Sequence, residues 1–294
     1  MEEQDFTQPT HEELQLIADY GGYDATYLDA SAAATASGNA YVGMDVTDDD
    51  ISFSVDHLIQ NLTQTVVNDG PDAFVDFAES NHGQIVEASR WDSRVADVLL
   101  ACYKYGIKQR SGSCANSLGT LYYIGEIFEQ DYQNAATLYE LGMDLGCYQS
   151  IINLGYICEY GRIGERDFKK AYEYYSLAAA LDPSSEAIYK LGDMYARGEF
   201  VEPDMSKARI LWEHSLEIAD DIEDAAQASA RIAPLLIDYE GDNGGAPFDP
   251  LRALGLYQQA EMGLRISIAG GEVYYRPRLQ EVIEGQAKAR ALMK

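Results

Sequence analysis

Basic residues are scarce in this sequence and are missing from its first 89 positions, which carry 18 Asp and Glu. Lys and Arg number 21 against 49 Asp and Glu, so the formal net charge is −28. A surface this negative repels phosphate backbones and anionic lipid headgroups, which argues against nucleic-acid binding and membrane-surface binding. We therefore expect a protein or peptide partner that carries a basic patch.

Cysteine and long apolar runs are scarce as well. The four cysteines form no C-x-x-C pair and no zinc-ligand spacing, so we expect reduced thiols without a disulfide framework: Cys102, Cys114, Cys147 and Cys158. Residues 1–20 contain no basic segment followed by an apolar one, and no later run approaches the ~20 apolar residues of a transmembrane helix. The sequence therefore predicts a cytoplasmic protein.

Motifs that carry catalysis are missing. The four histidines are scattered and form neither H-E-x-x-H nor a close pair with cysteine. The chain also holds no G-x-S-x-G, no P-loop and no G-x-G-x-x-G after a strand. Carboxylates are so numerous that any two of them could be drawn as an acid and a base, which makes such a pair uninformative. We therefore expect neither an enzyme nor a bound cofactor.

One loop imitates part of the ligand spacing of a calcium site. Its acidic residues begin at Asp238 and end at Asp249, eleven positions later. The sixth position of such a loop should be glycine for a sharp turn, and here it is Asn243. Since Asp249 is explained better as a helix cap, we expect an expanded, exposed turn without a metal.

Charge and periodicity divide the chain into four predicted regions. Residues 1–50 are predicted to form an acidic, partly ordered arm, in which the T-x-x-E of residues 10–13 is a capping box that opens a short helix. Residues 51–91 have helical spacing, with Gly and Pro at the breaks. Residues 92–265 carry a regular repeat, and residues 266–294 are predicted to form a C-terminal capping helix region.

Residues of matching type recur at intervals of 36 and 37 positions. A Leu-Gly pair comes first in each of three units: Leu118-Gly119, Leu154-Gly155 and Leu191-Gly192. Six residues later each unit has a second glycine, and six beyond that an aspartate: Gly125 and Asp131, Gly161 and Asp167, Gly198 and Asp204. An alanine follows the aspartate by four residues, and an aromatic follows the alanine by four. A repeated unit is therefore expected to determine the fold.

Each repeated position predicts a structural role. The leucine shares a stripe with the residue four later, which is typical of the buried face of a helix. The glycine beside it costs about 1 kcal/mol relative to alanine in a helix, so we expect a neighbouring backbone too close for a Cβ. The second glycine favours a left-handed helix end, and the aspartate favours the N-cap of a second helix. One unit is thus a helix hairpin, and hairpins must stack to bury their apolar faces.

The pattern A-x-x-x-L-G-x-x-Y-x-x-G, followed by D-x-x-x-A and an aromatic four later, resembles Sel1-like repeats, which are related to tetratricopeptide repeats. The resemblance covers about residues 92–265 and leaves the N-terminal third outside it. It implies an all-α fold, an α/α superhelix (solenoid) of helix hairpins that scaffolds protein complexes and has no chemistry of its own. Together with the charge pattern, it predicts such a solenoid with an acidic N-terminal region.

The first helix of each unit is expected to line a groove. Residues three and four positions apart share a helix face, and one such face is displaced from the leucine stripe. The residues on it are the predicted partner contacts: Asn116, Thr120, Tyr123, Ile152, Tyr156, Glu159, Tyr189 and Asp193. Tyrosine-rich grooves with scattered polar groups suit peptides, so the leading hypothesis is a scaffold or adaptor that binds a peptide or protein. The alternative is that these tyrosines only pack between repeats.

The acidic N-terminal region supports a second hypothesis. A base-free acidic segment suits an inhibitor or immunity-type protein that neutralises a basic toxin or a nucleic-acid-binding protein. The same segment could instead only keep the scaffold in solution. Salt separates the two functions, because charge-driven binding weakens steeply as ionic strength rises whereas groove binding does not.

Overall fold

The computed structural model describes residues 5–23, 55–237, 241–270 and 272–294. Most of the predicted acidic arm lies outside the described residues, and so do residues 238–240 of the loop that imitates a calcium site. Within the described ranges the chain forms helices and turns, with no strand. The prediction of an all-α fold is confirmed.

Fourteen α-helices are present in the described part of the chain. They are α1 (His11–Gly21), α2 (Val55–Gln64), α3 (Pro71–Ser80), α4 (His82–Trp91), α5 (Arg94–Lys108), α6 (Gly112–Ile124), α7 (Tyr132–Asp144), α8 (Tyr148–Tyr160), α9 (Phe168–Leu181), α10 (Ser185–Arg197), α11 (Met205–Ile218), α12 (Ile222–Leu235), α13 (Pro250–Ala269) and α14 (Arg276–Leu292). A π-helical turn, Thr65–Asp69, follows α2, and a 3-10 turn, Val273–Tyr275, precedes α14. None of the helices that the structure describes combines the length and the apolar character needed to cross a membrane.

The chain divides into two compact units, Met1–Ser150 and Ile151–Lys294, which we call the N-terminal and C-terminal units. In the N-terminal unit, α1 begins at the predicted capping box, because Thr10 Oγ1 accepts from the backbone N–H of Glu13 and Glu13 Oε2 accepts from that of Thr10. The same Glu13 carboxylate lies 2.8 Å from Nζ of Lys104, whose side chain is only 4% exposed. A nearly buried ion pair therefore joins α1 to α5.

The repeated aspartates and glycines mark where the helices of each hairpin begin and end. The carboxylate before each second helix accepts hydrogen bonds from N–H groups of that helix's first turn: Asp131, Asp167, Asp204 and, in the last unit, Asp249. The first helices end at glycines with φ of +80°, +63° and +68°, in the left-handed region: Gly125, Gly161 and Gly198. The turn chemistry of the repeat is thus local to each hairpin.

The glycine of each Leu-Gly pair packs against the aromatic residue of the same hairpin. An added Cβ would lie within 3 Å of a ring atom in all three units: 2.8 Å from Tyr139 Cε1 at Gly119, 2.8 Å from Tyr175 Cδ1 at Gly155, and 2.6 Å from Trp212 Nε1 at Gly192. The sequence predicted that a neighbouring backbone excludes a Cβ at these glycines, but the atoms nearest to an added Cβ belong to the aromatic ring. A small residue is needed because the ring packs directly against the first helix at this position.

Alanine dominates the apolar core of the C-terminal unit. The core includes Trp212 of α11, Ile232 of α12, Tyr257 of α13 and Val282 of α14, each at most 6% exposed. Small side chains let the helices approach closely, as at Gly263, where an added Cβ would lie 2.8 Å from Cβ of Ala226. This packing fixes the helices that carry the polar surface described next.

Candidate partner-binding surface

The first helices α8, α10 and α12 carry polar side chains that contact one another from helix to helix. All of these side chains belong to the C-terminal unit. We call this set the first-helix row: Tyr156, Glu159 and Tyr160 on α8, Glu186, Tyr189, Lys190, Asp193 and Arg197 on α10, and Gln227 and Arg231 on α12.

Glu159 is the buried centre of the contact between α8 and α10, with 2% of its surface exposed. Its Oε2 atom lies 2.6 Å from Nζ of Lys190 and accepts a 2.6 Å hydrogen bond from the hydroxyl of Tyr175. Its Oε1 atom accepts a hydrogen bond from Nη2 of Arg197, 3.3 Å away. A buried carboxylate is stable only when it is paired and hydrogen-bonded, and Glu159 meets both conditions.

The ammonium group of Lys190 is surrounded by aromatic rings. Its Nζ lies 4.7, 5.4 and 5.5 Å from the ring centroids of Tyr156, Tyr160 and Tyr175, respectively. Cation–π attraction reaches about 2 kcal/mol when the cation is desolvated, and Lys190 is only 3% exposed. Tyr156 and Tyr160 also stack nearly parallel, with centroids 5.9 Å apart. The buried ion pair thus holds two tyrosine rings in place on α8.

Asp193 and Arg231 join α10 to α12. Both carboxylate oxygens of Asp193 accept hydrogen bonds from the guanidinium, at short range from Nε and at 2.6 Å from Nη2. The indole N–H of Trp212 donates a further bond of 3.0 Å to Oδ1. Burial raises the pKa of Asp193, but the charge and the hydrogen bonds of Arg231 outweigh it and hold that pKa below its ordinary value. Asp193 is therefore an ionised, enclosed counter-ion.

Arg231 is fixed on all sides. Its Nη1 donates to the backbone oxygen and to Oε1 of Gln227, both at 2.8 Å. Its guanidinium carbon lies 4.7 Å from the ring centroid of Tyr189. Only 12% of its side chain is exposed. The cation therefore supports α10 and α12 from beneath the surface instead of reaching into solvent.

A chain of hydroxyl contacts continues the row between α8 and α10. Tyr156 donates a 2.7 Å hydrogen bond to Oε1 of Glu186, and its hydroxyl lies 2.9 Å from that of Tyr189. Burial, with the charge of Glu186 as a further cause, raises the pKa of both hydroxyls well above the ordinary value. Both tyrosines stay neutral near pH 7 and keep their capacity to donate.

Two side chains of the row reach solvent. Tyr160 is 42% exposed, and 45% of the Arg197 side chain is exposed. Arg197 is nevertheless held by carboxylates, with Nη2 3.3 Å from Glu159 and 3.4 Å from Asp193. Tyrosine and arginine are the residue types that contribute most at protein interfaces. The row therefore presents an interface-type surface on a fixed support.

The charged residues of the first-helix row serve to hold other side chains in place. Its central carboxylates, Glu159 and Asp193, are both engaged by cations. Across the ranges that the structure describes, no group of three or more His, Cys, Asp and Glu could hold a metal ion. The arrangement holds rings and charges at fixed places, which is what recognition of another chain requires.

The Sel1 repeat family matches the chain at four places, residues 112–147, 149–183, 185–214 and 226–262. The chain is a Sel1 repeat protein. The first-helix row lies on the first helices of the second, third and fourth Sel1 repeats. Sel1 repeat proteins in general mediate interactions between proteins.

Solved structures resemble this Sel1 repeat protein. The crystal structure of a Sel1 repeat protein from Oxalobacter formigenes aligns with a TM-score of 0.52 at 17% identity, over 79% of this chain and 91% of its own. That of c5321, a protective antigen of uropathogenic Escherichia coli strains that displays an SLR fold, aligns with a TM-score of 0.41 at 17% identity, over 82% of this chain and 68% of its own. No match is found among curated proteins. The predicted solenoid of Sel1-like hairpins is confirmed.

Four of the eight predicted contact residues are nine-tenths or more buried: Ile152, Glu159, Tyr189 and Asp193. Three of these, Glu159, Tyr189 and Asp193, hold other members of the row in place. Tyr156 is half-buried against Lys190. The sequence predicted these residues as partner contacts lining a groove, and that role remains a prediction.

The other three predicted contacts lie in the N-terminal unit and are half-buried. Thr120 donates to the backbone oxygen of Asn116 and lies 3.3 Å from the hydroxyl of Tyr139. Oδ1 of Asn116 accepts a 3.0 Å hydrogen bond from Ser150. Tyr123 lies on the same first helix of the first Sel1 repeat. A contact role for these residues remains a prediction.

Sequence reasoning missed the cations of the row and its exposed tyrosine. Arg197 follows Asp193 by four residues and Tyr160 follows Tyr156 by four, so extending the same register would have found both. Arg231 stands in the distorted fourth Sel1 repeat, where the Leu-Gly signal is lost and the register cannot be read from the sequence.

Proposed function

We propose that this chain is a protein-interaction scaffold that binds a peptide or protein segment along the first-helix row. The observation that carries the proposal is the exposure of Tyr160 and Arg197 above buried ion pairs that fix them. The row holds no catalytic role in this proposal, and no cofactor is needed.

Preorganisation explains why such a surface binds. Ordering one flexible side chain at an interface costs about 0.5–1.5 kcal/mol. Arg197 and Tyr160 are already held by Glu159, Asp193 and Lys190, so much of that cost is met in the free protein. Truncating an anchor of this type commonly costs about 2 kcal/mol, which is about 30-fold in Kd.

The test is selection of peptides from a random library on the immobilised full chain, followed by measurement of Kd for the selected peptides. Tyr160→Ala should weaken binding at least about tenfold. Tyr148→Ala is the matched control, since Tyr148 is also 42% exposed, on the same helix but outside the row. Equal effects of the two substitutions would contradict the proposal.

Salt dependence separates this function from neutralisation of a basic partner by residues 1–89. Residues 1–4 and 24–54 of that region lie outside the described residues. Truncation is a poor test, because it would remove Glu13 and leave the buried Lys104 without its counter-ion. If Kd rises steeply with salt concentration and is unchanged by Tyr160→Ala, neutralisation of a basic partner is the better account.

A further inference from the structure

A cavity of about 350 Å³ opens in the C-terminal unit beside the first-helix row. It lies where α10 and α12 begin and where the 3-10 turn at Val273–Tyr275 follows α13. Its wall includes Tyr189 and Gln227 of the row, together with Tyr275 of the turn. A segment bound along the row would therefore pass its mouth.

The wall of the cavity is acidic. Five carboxylates line it, and no lysine or arginine does among the residues that the structure describes: Glu186, Asp221, Glu223, Asp224 and Glu272. The nearby Arg231 is already paired with Asp193. Burial and the like charges of Asp221 and Asp220 raise the pKa of Asp224, so keeping it ionised opposes folding. The other four wall carboxylates accept hydrogen bonds within the fold, from the first turn of α12 and from the hydroxyls of Tyr156, Ser267 and Tyr274. Asp224 is the one whose charge the fold disfavours.

Two side chains in the wall have unused hydrogen-bonding capacity. Ser185 is only 6% exposed, and within the described ranges its hydroxyl has no hydrogen-bond partner. Gln227 is 9% exposed, and its Oε1 faces Arg231, which can only donate. Among the described residues the amide NH₂ of Gln227 donates no hydrogen bond, whereas its Oε1 accepts one from Arg231. Both residues are largely buried and line the cavity, so a ligand held there can supply the bonds that their polar atoms do not make within the described chain.

We infer that the cavity binds a lysine or arginine side chain of the partner segment. Cationic side chains carry only donors, and the wall offers carboxylate oxygens, the Ser185 hydroxyl and the Tyr275 ring. The Gln227 amide suits a main-chain carbonyl of the same segment. The cation is an organic one, since no group of three possible ligands among the described residues is placed to hold a metal. This inference rests on the proposed function and names the chemistry of its partner.

The test uses the full chain and the peptide acetyl-Gly-Arg-Gly-amide, followed by ¹H–¹⁵N chemical shifts. The arginine peptide should shift amides at the starts of α10 and α12, and the uncharged citrulline peptide should bind about tenfold more weakly or worse. Asp224→Asn should weaken arginine binding several-fold while leaving the thermal midpoint equal or higher, because a repelled charge is removed. Ser185→Ala should weaken it without unfolding the chain.

Glu217→Gln is the matched control, because it removes the same charge from α11, where 77% of the Glu217 side chain is exposed. The inference is overturned if Glu217→Gln and Asp224→Asn weaken arginine binding equally, or if the citrulline peptide binds as tightly as the arginine peptide. It is also overturned if an equal concentration of Mg²⁺ displaces the arginine peptide. If library peptides depend on Tyr160 but not on Asp224, the cation site fails while the proposed function stands. If the arginine peptide binds and Tyr160 is irrelevant, the proposed function fails instead.

Discussion

Replacing Gly155 by alanine tests whether the repeated glycine exists to admit an aromatic ring. The new Cβ would lie 2.8 Å from Cδ1 of Tyr175, whose side chain is fully buried. The ring cannot swing aside freely, because its hydroxyl donates a 2.6 Å hydrogen bond to Glu159. The added methyl group must therefore displace the ring, the backbone or both.

The expected magnitude follows from three contributions. Overpacking a core by one carbon costs about 1–3 kcal/mol. Moving Tyr175 also deprives the buried Glu159 of a hydrogen bond, which costs a further ~1–3 kcal/mol. Alanine returns about 1 kcal/mol of helix propensity relative to glycine. Together these contributions lower the free energy of unfolding of Gly155→Ala by about 1–5 kcal/mol, with about 3 kcal/mol as the central expectation.

Gly255→Ala is the matched control in the same unit. Gly255 lies inside α13, is exposed, and has no atom within 4 Å of an added Cβ. The same substitution should there raise stability by up to about 1 kcal/mol. The assay is urea unfolding in a Trp91→Phe background, because Trp91 is 84% exposed and Trp212 then reports the C-terminal unit alone. Equal effects at the two glycines would refute the reasoning.

Three further predictions concern buried charge, capping and thiols. Asp193→Asn leaves Arg231 buried without its counter-ion and should cost about 3–5 kcal/mol in urea unfolding at neutral pH, whereas a cost under ~1 kcal/mol would argue against the pair. Because the folded-state pKa of Asp193 is depressed, its contribution is complete above about pH 4 and is lost as the pH falls through that pKa. The variant should therefore lose less stability on acidification than the parent. Asp204→Ala removes a helix cap and should cost about 1 kcal/mol, whereas Asp204→Asn should cost little; equal costs would exclude capping. Burial raises the pKa of the Cys114 thiol to about 12, so a thiol reagent should modify it only after unfolding, while the partly exposed Cys147 reacts in the native protein; equal rates would contradict this.

The parts of the fold that depend on neighbouring residues could be predicted from the sequence. A cap at Asp131 needs only the N–H groups two and three residues later, and a left-handed end at Gly125 needs only its own backbone. The spacing of 36 residues then showed that such hairpins recur. These features depend only on residues close together in the chain, so a short stretch of sequence is enough to predict them.

The support beneath the candidate surface could not be predicted in the same way. Glu159 and Lys190 are 31 positions apart, and Asp193 and Arg231 are 38 apart, so each pair forms only when helices stack. Helical register predicts which residues share a face, but it does not tell whether a side chain on that face is buried under its neighbours. Glu159 was therefore expected to contact a partner and instead holds Lys190.

The most direct test of the central claim is hydrogen–deuterium exchange of the full chain, measured with and without a peptide selected from the library. If the first-helix row is the partner surface, added protection should fall on α8, α10 and α12 and leave α9 and α11 unchanged. Protection confined to α9 and α11, or to residues 55–91, would contradict the account.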